Sequence, residues 1–361
     1  MGGSSFHLLY VSCLAWGFET TYKRIWKSSA IVSNNAGTIS NEKQSDQPEV
    51  AVIILNWNNY EDTKSCIESS FKQSYSNHTI YIVDNGSQDG SGSRLAREYP
   101  DCEFIHNSSN LGFSAGVNKG IIAAKDKSDY ILLMNNDCDF RYANCLQQAV
   151  DLAENRSDAG IVGGKIYYDR TKKIWSACGE IDWTRGRGIH YGHDELDTGR
   201  YDNIEQVGFV SGALMLISSD VVDDVGLLPE EYFFGAEEWD YSVQVNRSEY
   251  NLYRCPGFVV DHEVGASHKT FDQRFIYNTY RNKLLFQRRN LPKYYWAIWY
   301  LIFRVYSLTL LRRKLKQRIK QSDESADVSE VMNAVNTAIK DDNPTSPSVK
   351  KEDVEQFGSL R

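Results

Sequence analysis

Unbroken apolar runs that end abruptly in amides and carboxylates recur through the first half of the chain. Val50-Ala-Val-Ile-Ile-Leu55 runs into Asn56-Trp-Asn-Asn-Tyr60, and Thr79-Ile-Tyr-Ile-Val83 into Asp84-Asn85-Gly86. Tyr130-Ile-Leu-Leu-Met134 runs into Asn135-Asn136-Asp137 and Asp139. None of the three alternates apolar with polar, which predicts strands covered on both faces, as in a parallel sheet between helices. Helical spacing fills the intervals. Cys66, Ile67, Ser70 and Phe71 follow Asn59 as N-cap, a short helix covers Ser91 to Tyr99, and a Gly-punctuated stretch from Asn110 to Gly120 enters a helix ending near Lys125. With a further strand from Cys102 to His106, the order is that of βαβ units, so the fold class is α/β.

The second half is more varied. The pattern predicts a helix over Ala143–Ala153, a strand over Ile161–Ile166 and a hairpin within Ile174–Tyr191. A long strand follows over Val207–Ile217, in which Gly208 and Gly212 mark a bulge or a close backbone approach. Then come a helix opening on Glu237-Glu238-Trp239-Asp240, a strand from Tyr253 to Val260 ending in Asp261-His262-Glu263, and a helix over Gln273–Asn290. These elements make one domain of residues 49–290. Residues 1–48 read as a poorly ordered leader and linker, since the patch from Phe6 to Phe18 is too short to span a bilayer. Residues 291–320 form an aromatic, amphipathic segment with Arg304 inside it and six Lys or Arg from Arg312 to Lys320. It suits either an interfacial helix facing anionic lipid or a core helix with a solvated basic end. Residues 321–361 are polar and charged, a tail with a short helix at Val328–Ile339.

Composition narrows the classes. A formal net charge of −8 over 361 residues excludes a general nucleic-acid binder, which needs a basic footprint. The seven Cys are scattered without a CxxC, so neither a zinc site nor a disulfide framework is indicated, and a reducing cytoplasmic setting is the simplest reading. No GxGxxG follows the first strand and no Walker A lysine occurs, which removes the dinucleotide and P-loop readings.

The chemistry collects at the strand ends. Ligands of open α/β sheets sit beyond the carboxyl ends of the strands. Asn56, Trp57 and Asn58, then Asp84 and Asn85, then Asn110 and Asn118, then Asn135, Asn136 and Asp137 would ring one crevice. Taken singly, each is also an ordinary polar turn. In succession they offer the amides and acceptors that a base, a ribose and a diphosphate require. Glu237, Glu238 and Asp240 lie together behind Phe233-Phe234, where crowded carboxylates acquire the raised pKa of a general base. His262 by itself reads as a packed, hydrogen-bonded histidine.

In this order the motifs resemble those of family 2 inverting glycosyltransferases with the GT-A fold, especially a rhamnosyltransferase-like branch. The resemblance covers about Val50 to Asn290. It rests on Ile-Leu-Asn-Trp-Asn, Val83-Asp-Asn-Gly-Ser, Asn110-Leu-Gly-Phe-Ser-Ala-Gly, Leu133-Met-Asn-Asn-Asp137, Ser211-Gly-Ala, Phe233-Phe-x-x-Glu-Glu-x-Asp240 and Arg281-Asn282. It implies a mostly parallel central sheet flanked by helices, with a C-terminal amphipathic helical extension. It also implies transfer of a hexosyl or deoxyhexosyl group from a nucleotide-diphosphate sugar donor to an acceptor hydroxyl with inversion. By position, Asn56, Asn58, Asp84 and Asn85 would line the nucleoside pocket, and Gly112 and Asn118 the loop beside the nucleotide. Asn135-Asn136-Asp137 stands for the family's Asp-x-Asp motif, binding a divalent metal (Mg or Mn) through Asp137, with His262 near the metal or diphosphate. Glu238 takes the place of the base, with Glu237 and Asp240 as alternates.

Asn135 departs from the family pattern, which leaves a second reading open: a catalytically impaired domain that binds a nucleotide sugar or glycan. A nucleotidyltransferase is a third, lacking its basic Gly-rich loop here. The expected setting is assembly of a cell-surface or lipid-linked glycan, on a glycan or lipid-linked acceptor. The expected location is cytoplasmic, with peripheral contact at the inner face of the cell membrane through residues 292–320.

Overall fold

A computed structural model describes residues 47–263, 271–322 and 326–341. The leader expected over residues 1–48 falls almost wholly outside this range, as do residues 342–361 of the tail. Among the described residues, Gln47 and Trp183–Arg185 fall outside the compact unit to which the others belong, and the architecture below is that of this unit.

The predicted apolar runs are strands: β1 (Val50–Asn56), β2 (His78–Asp84), β3 (Glu103–His106) and β4 (Tyr130–Asn135). Between them lie α1 (Tyr60–Phe71), α2 (Ser91–Glu98) and α3 (Phe113–Ala124). Asn59 caps α1 as predicted, its side chain accepting from the Asp62 amide. Past β4 the chain forms β5 (Cys138–Phe140), α4 (Cys145–Glu154), β6 (Ala159–Tyr168), β7 (Ile174–Ser176), β8 (Gly179–Asp182), β9 (Arg187–His190) and β10 (Glu205–Gln206). It continues with β11 (Leu214–Ser218), α5 (Ser219–Val225), α6 (Glu237–Asn246), β12 (Asn251–His262) and α7 (Gln273–Asn290).

The sheet order is β10-β12-β6-β11-β4-β1-β2-β3, with β5 added beside β12 and β7 beside β6. β3, β2, β1 and β4 run parallel, and β6 and β12 run parallel to each other. β11 is antiparallel to both β4 and β6, so those six strands all point the same way. Their carboxyl ends therefore share one edge with the start of β11. β1 is flanked by β2 on one side and β4 on the other, a reversal of strand order that opens a crevice at that edge.

The runs lack alternation because both faces are buried. Val50, Val52 and Ile54 pack with α1, α2 and α4, while Ala51 and Ile53 pack with α3, α5 and α6. α3 comes close to β1 through glycine. A Cβ at Gly120 would stand 2.7 Å from a methyl of Ile53, and one at Gly116 2.7 Å from a methyl of Leu55.

The long strand expected over Val207–Ile217 is a correction. Only Leu214–Ser218 is strand, because the chain turns at Ser211, whose carbonyl accepts from the Leu214 amide at 3.2 Å. Gly208 does make the close approach its type implied, its amide bonding the Gly179 carbonyl at 2.8 Å. The hairpin predicted within Ile174–Tyr191 is the antiparallel pair β8–β9. Asp139 lies in β5.

Beyond α7 come α8 (Lys293–Tyr306), a π-helical segment (Ser307–Leu311), α9 (Arg312–Gln321) and α10 (Val328–Asp341). α10 falls within the stretch read as a polar tail. It buries Val331, Val335, Ala338 and Ile339 against α7 and α9, in a core shared with Tyr277, Leu284, Phe303 and Leu315. Among the described residues, no helix is long and apolar enough to cross a membrane.

Candidate functional site

Three strand ends and one turn assemble the site. Asn56 and Asp84 face each other in register, and Leu55 is paired with Asn135. The Asn135 amide bonds the carbonyl of Ala213, just before β11. Gly212, in the same turn, lies against Glu238, since a Cβ there would be 3.7 Å from the Glu238 Cβ. Two sequence motifs about a hundred residues apart are thus neighbours through Ser211-Gly212-Ala213. Glycine at 212 keeps the gap open.

The predicted nucleoside residues form a closed polar network. Asn56 is fully buried, its amide within reach of Asp84 Oδ1 (2.9 Å), Ser87 Oγ (3.1 Å) and Ser91 Oγ (3.0 Å), while its Oδ1 accepts from Thr63 Oγ1. Asp84 Oδ2 is 2.9 Å from His106 Nδ1. Asn58 adopts φ 51° and accepts from the Gln88 amide, fixing the loop after β2. Asn85 ties the neighbouring Gly112 loop, donating to Asn110 Oδ1 and to the Gly112 carbonyl and accepting from the Leu111 amide. Trp57 stands exposed at the same edge. Asn118 is not brought to it. Its amide holds the Leu228 carbonyl and Glu230, and its Oδ1 accepts from the Leu228 amide.

At the far side of the crevice, β5 pairs with the end of β12, Cys138 facing His262. This pairing sets His262 Nε2 3.1 Å from Asp137 Oδ1. Asp137 Oδ1 and His262 Nδ1 are buried and make no hydrogen bond among the described residues. A gap of about 3 Å is what two neighbouring ligands of a small octahedral cation span at metal–oxygen distances near 2.1 Å. The donor set, one carboxylate and one imidazole, therefore fits a divalent ion. Cys138 Sγ lies within 4.8 Å of both, but it sits in the apolar core and burial pushes its thiol well up, so it stays protonated. Asn136 donates to Thr63 Oγ1, and Asn135 is half-buried beside it.

The acidic cluster separates into three different groups. Glu237 is buried, and one of its carboxylate oxygens has no partner among the described residues. Burial, and then the charge of Glu238, hold its carboxyl well above the usual range. Glu238 is half-buried, and burial raises it to about 7. Glu238 is thus balanced to take up a proton near neutral pH.

Asp240 belongs to the scaffold. Its oxygens are taken by Tyr232 Oη (2.9 Å), Asn290 Nδ2 (2.8 Å) and Arg289 Nε (2.9 Å). Asp240→Asn should lower folding stability by about 1–2 kcal/mol, because it removes the buried one of the two carboxylates that pair with Arg289, Glu231 being the other. Thermal unfolding of the variant, with no substrate present, checks this.

The residues that sequence reading missed are those that aim Glu238. Gly235 and Ala236 take φ 87° and 77°, the latter a costly conformation for a residue with a Cβ. Asn282 of α7 holds this turn by donating to the carbonyls of Phe234 (2.9 Å) and Gly235 (2.7 Å). Only the Arg281-Asn282 pair hinted at this role. Trp175, edge-on to His262 with ring centroids 4.8 Å apart, carried no local signal.

Residues 51–226 match the family model described as glycosyl transferase family 2. The low-salt glycan biosynthesis hexosyltransferase Agl10 of Haloferax volcanii is 23% identical over 240 residues, 66% of this chain and 75% of that protein. The N-acetylglucosaminyl-diphospho-decaprenol L-rhamnosyltransferase of Mycobacterium tuberculosis is 22% identical over 209 residues, 52% of this chain and 67% of that protein. Among solved structures, a mannosyltransferase from Pyrobaculum calidifontis in complex with GDP-Man and Mn2+ superposes with a TM-score of 0.50 at 13% identity, covering 98% of this chain and 91% of that one. GalNAc-T7 with UDP, GalNAc and Mn2+ gives 0.54 at 12% identity, over 81% of this chain and 54% of that one. At these identities the two structures speak for the GT-A-like fold.

Proposed function

From a glycosyl transferase family 2 domain built in this way, we propose an enzyme that transfers a sugar from a nucleotide-diphosphate donor to an acceptor hydroxyl with inversion. The observation that carries the reading is the seating of Glu238 against Gly212 and of Ala213 against Asn135. A carboxyl raised to about 7 thereby stands beside the polar strand ends. Asn56, Asn58, Asp84 and Asn85 shape the nucleoside end, with Gly112 in the adjoining loop.

Asp137 and His262 would hold the divalent ion, Mg or Mn, and a cation there supplies positive charge to the departing diphosphate. Mn2+ in both solved neighbours supports the use of such an ion. Glu238 accepts the proton of the acceptor hydroxyl, whose oxygen attacks the anomeric carbon from the face opposite the leaving diphosphate. The acceptor is a glycan or lipid-linked sugar, in assembly of a cell-surface or lipid-linked glycan. The mycobacterial relative is named for a lipid-diphosphate acceptor of that class.

Thermal unfolding over a panel of nucleotide sugars, each with and without Mn2+, tests the reading. A true donor raises the melting temperature by an amount set by its concentration over its Kd, about 2.7 kcal/mol of stabilisation at a hundredfold excess. The increment should shrink when the metal is withheld. No stabilisation by any nucleotide sugar would sink the proposal. Asn135, an amide where the family motif has an acid, favours a second reading as a domain that only binds. Metal-dependent release of sugar from donor alone excludes it.

A further inference from the structure

The C-terminal helices carry a surface that the transfer chemistry does not use. α8, the π-helical segment and α9 are continuous from Lys293 to Gln321, a rod about 40 Å long at helical rise. One side of the rod is core: Phe303, Leu311, Leu315 and Ile319 are buried against α7 and α10. On the other, Tyr294, Ile298, Leu301, Ile302, Val305 and Leu308 recur at spacings of three and four and are all exposed, Leu301 at 66% and Leu308 at 73%. A contiguous apolar stripe on a soluble domain marks a contact surface.

Charge identifies what it contacts. From Gln273 to Gln321 the sequence has thirteen Lys and Arg and no Asp or Glu, in a chain whose net charge is −8. Arg312, Arg313, Lys314, Lys316, Arg318 and Lys320 continue directly from the apolar stripe. All six are exposed, and none is ion-paired with a described residue. Two copies meeting through this face would bring like charges together. An anionic phospholipid surface satisfies both halves of the rod, since acyl chains take the apolar stripe and headgroups pair with the cations.

We propose that the rod from Lys293 to Gln321 lies in the interface of an anionic lipid bilayer and holds the domain on the membrane surface. α7 is packed beneath this rod and also grips the Phe234-Gly235 turn through Asn282, so the anchor and the acidic cluster share one support. The docking itself does not depend on the transfer reaction.

Sedimentation of the full-length protein with vesicles tests the proposal, with no donor present. Phosphatidylcholine vesicles containing about one-third phosphatidylglycerol should bind the protein, pure phosphatidylcholine vesicles at least about tenfold less, and added salt should release it. Leu301→Glu with Leu308→Glu, and separately Arg312→Glu with Arg313→Glu and Lys316→Glu, should each weaken binding about tenfold or more. These positions are exposed, so the melting temperature should not move. Equal binding to both vesicle types, binding to neither, or binding indifferent to the Leu301 and Leu308 changes would overturn the proposal. Self-association abolished by those two changes, without vesicle binding, would assign the face to a second copy instead.

Discussion

Glu238→Gln is expected to remove transfer and to leave the donor bound. The amide keeps the shape and the packing against Gly212 but cannot accept the acceptor's proton, and general-base catalysis contributes about 10²–10⁴-fold to rate. Turnover should drop by that factor, while the thermal shift with donor and Mn2+ stays close to that of the parent. Near-parental turnover would move the role to another group. The pH profile gives a second readout. Burial raises the Glu238 carboxyl to about 7, so below that pH it is protonated and cannot serve as a base. The rate at limiting acceptor should therefore climb as pH rises through about 7 and level off above it, a limb that the Gln variant lacks.

Asp137→Asn should cost nearly as much, by a different route. It leaves the backbone pairing intact, since the bond from the Glu263 amide goes to the Asp137 carbonyl rather than to its side chain. It removes the one carboxylate that stands 3.1 Å from His262 Nε2. Charge stabilisation by a bound ion is worth several kcal/mol, so kcat/KM should fall by roughly 10²–10³-fold and the metal concentration for half-maximal rate should rise. Folding stability should hold, because the substitution takes away a buried oxygen that has no hydrogen-bond partner among the described residues. Undiminished metal-dependent turnover would show that the ion, if used, is held elsewhere.

How far the fold could be read in advance followed how local the determinants were. β1, β2 and β4 announced themselves by continuous burial on two faces. α7 was legible end to end, because Asp272 caps it by accepting from the Arg274 and Phe275 amides and Leu291-Pro292 ends it. The stretch after Val207 was misread. Its residues are apolar enough for a strand, but the Gly208 and Phe209 amides bond the carbonyl of Gly179, about thirty residues away, which no short window of the sequence contains. The helix at Val328–Ile339 was legible from its spacing, but the burial of Val331, Val335 and Ala338 was not, because their partner surface is α7.

The acidic cluster shows the same limit at the site. Sequence put Glu237, Glu238 and Asp240 within four residues, and only the resemblance set Glu238 ahead of the other two, since all three carry the same chemical group. Their environments differ by what other parts of the chain deliver. Arg289 and Asn290 occupy Asp240, burial raises the Glu237 carboxyl, and the glycine at 212 leaves room beside Glu238.

The sequence by itself determined the order of strands and helices, the polar residues at each strand end, the resemblance to one enzyme family, and the segregation of cations after Gln273. Those follow from side-chain polarity and spacing, which are properties of neighbouring residues. The tertiary structure alone decided that β11 runs against its neighbours, so that the Ser211-Gly212-Ala213 turn lies at the ligand edge. It also decided that Asn118 is a brace rather than a pocket residue, that Asp137 meets His262, and which side of the C-terminal rod is left bare. Those depend on contacts across the chain, where one kind of carboxylate meets an imidazole, a buried turn or a guanidinium according to what is packed around it.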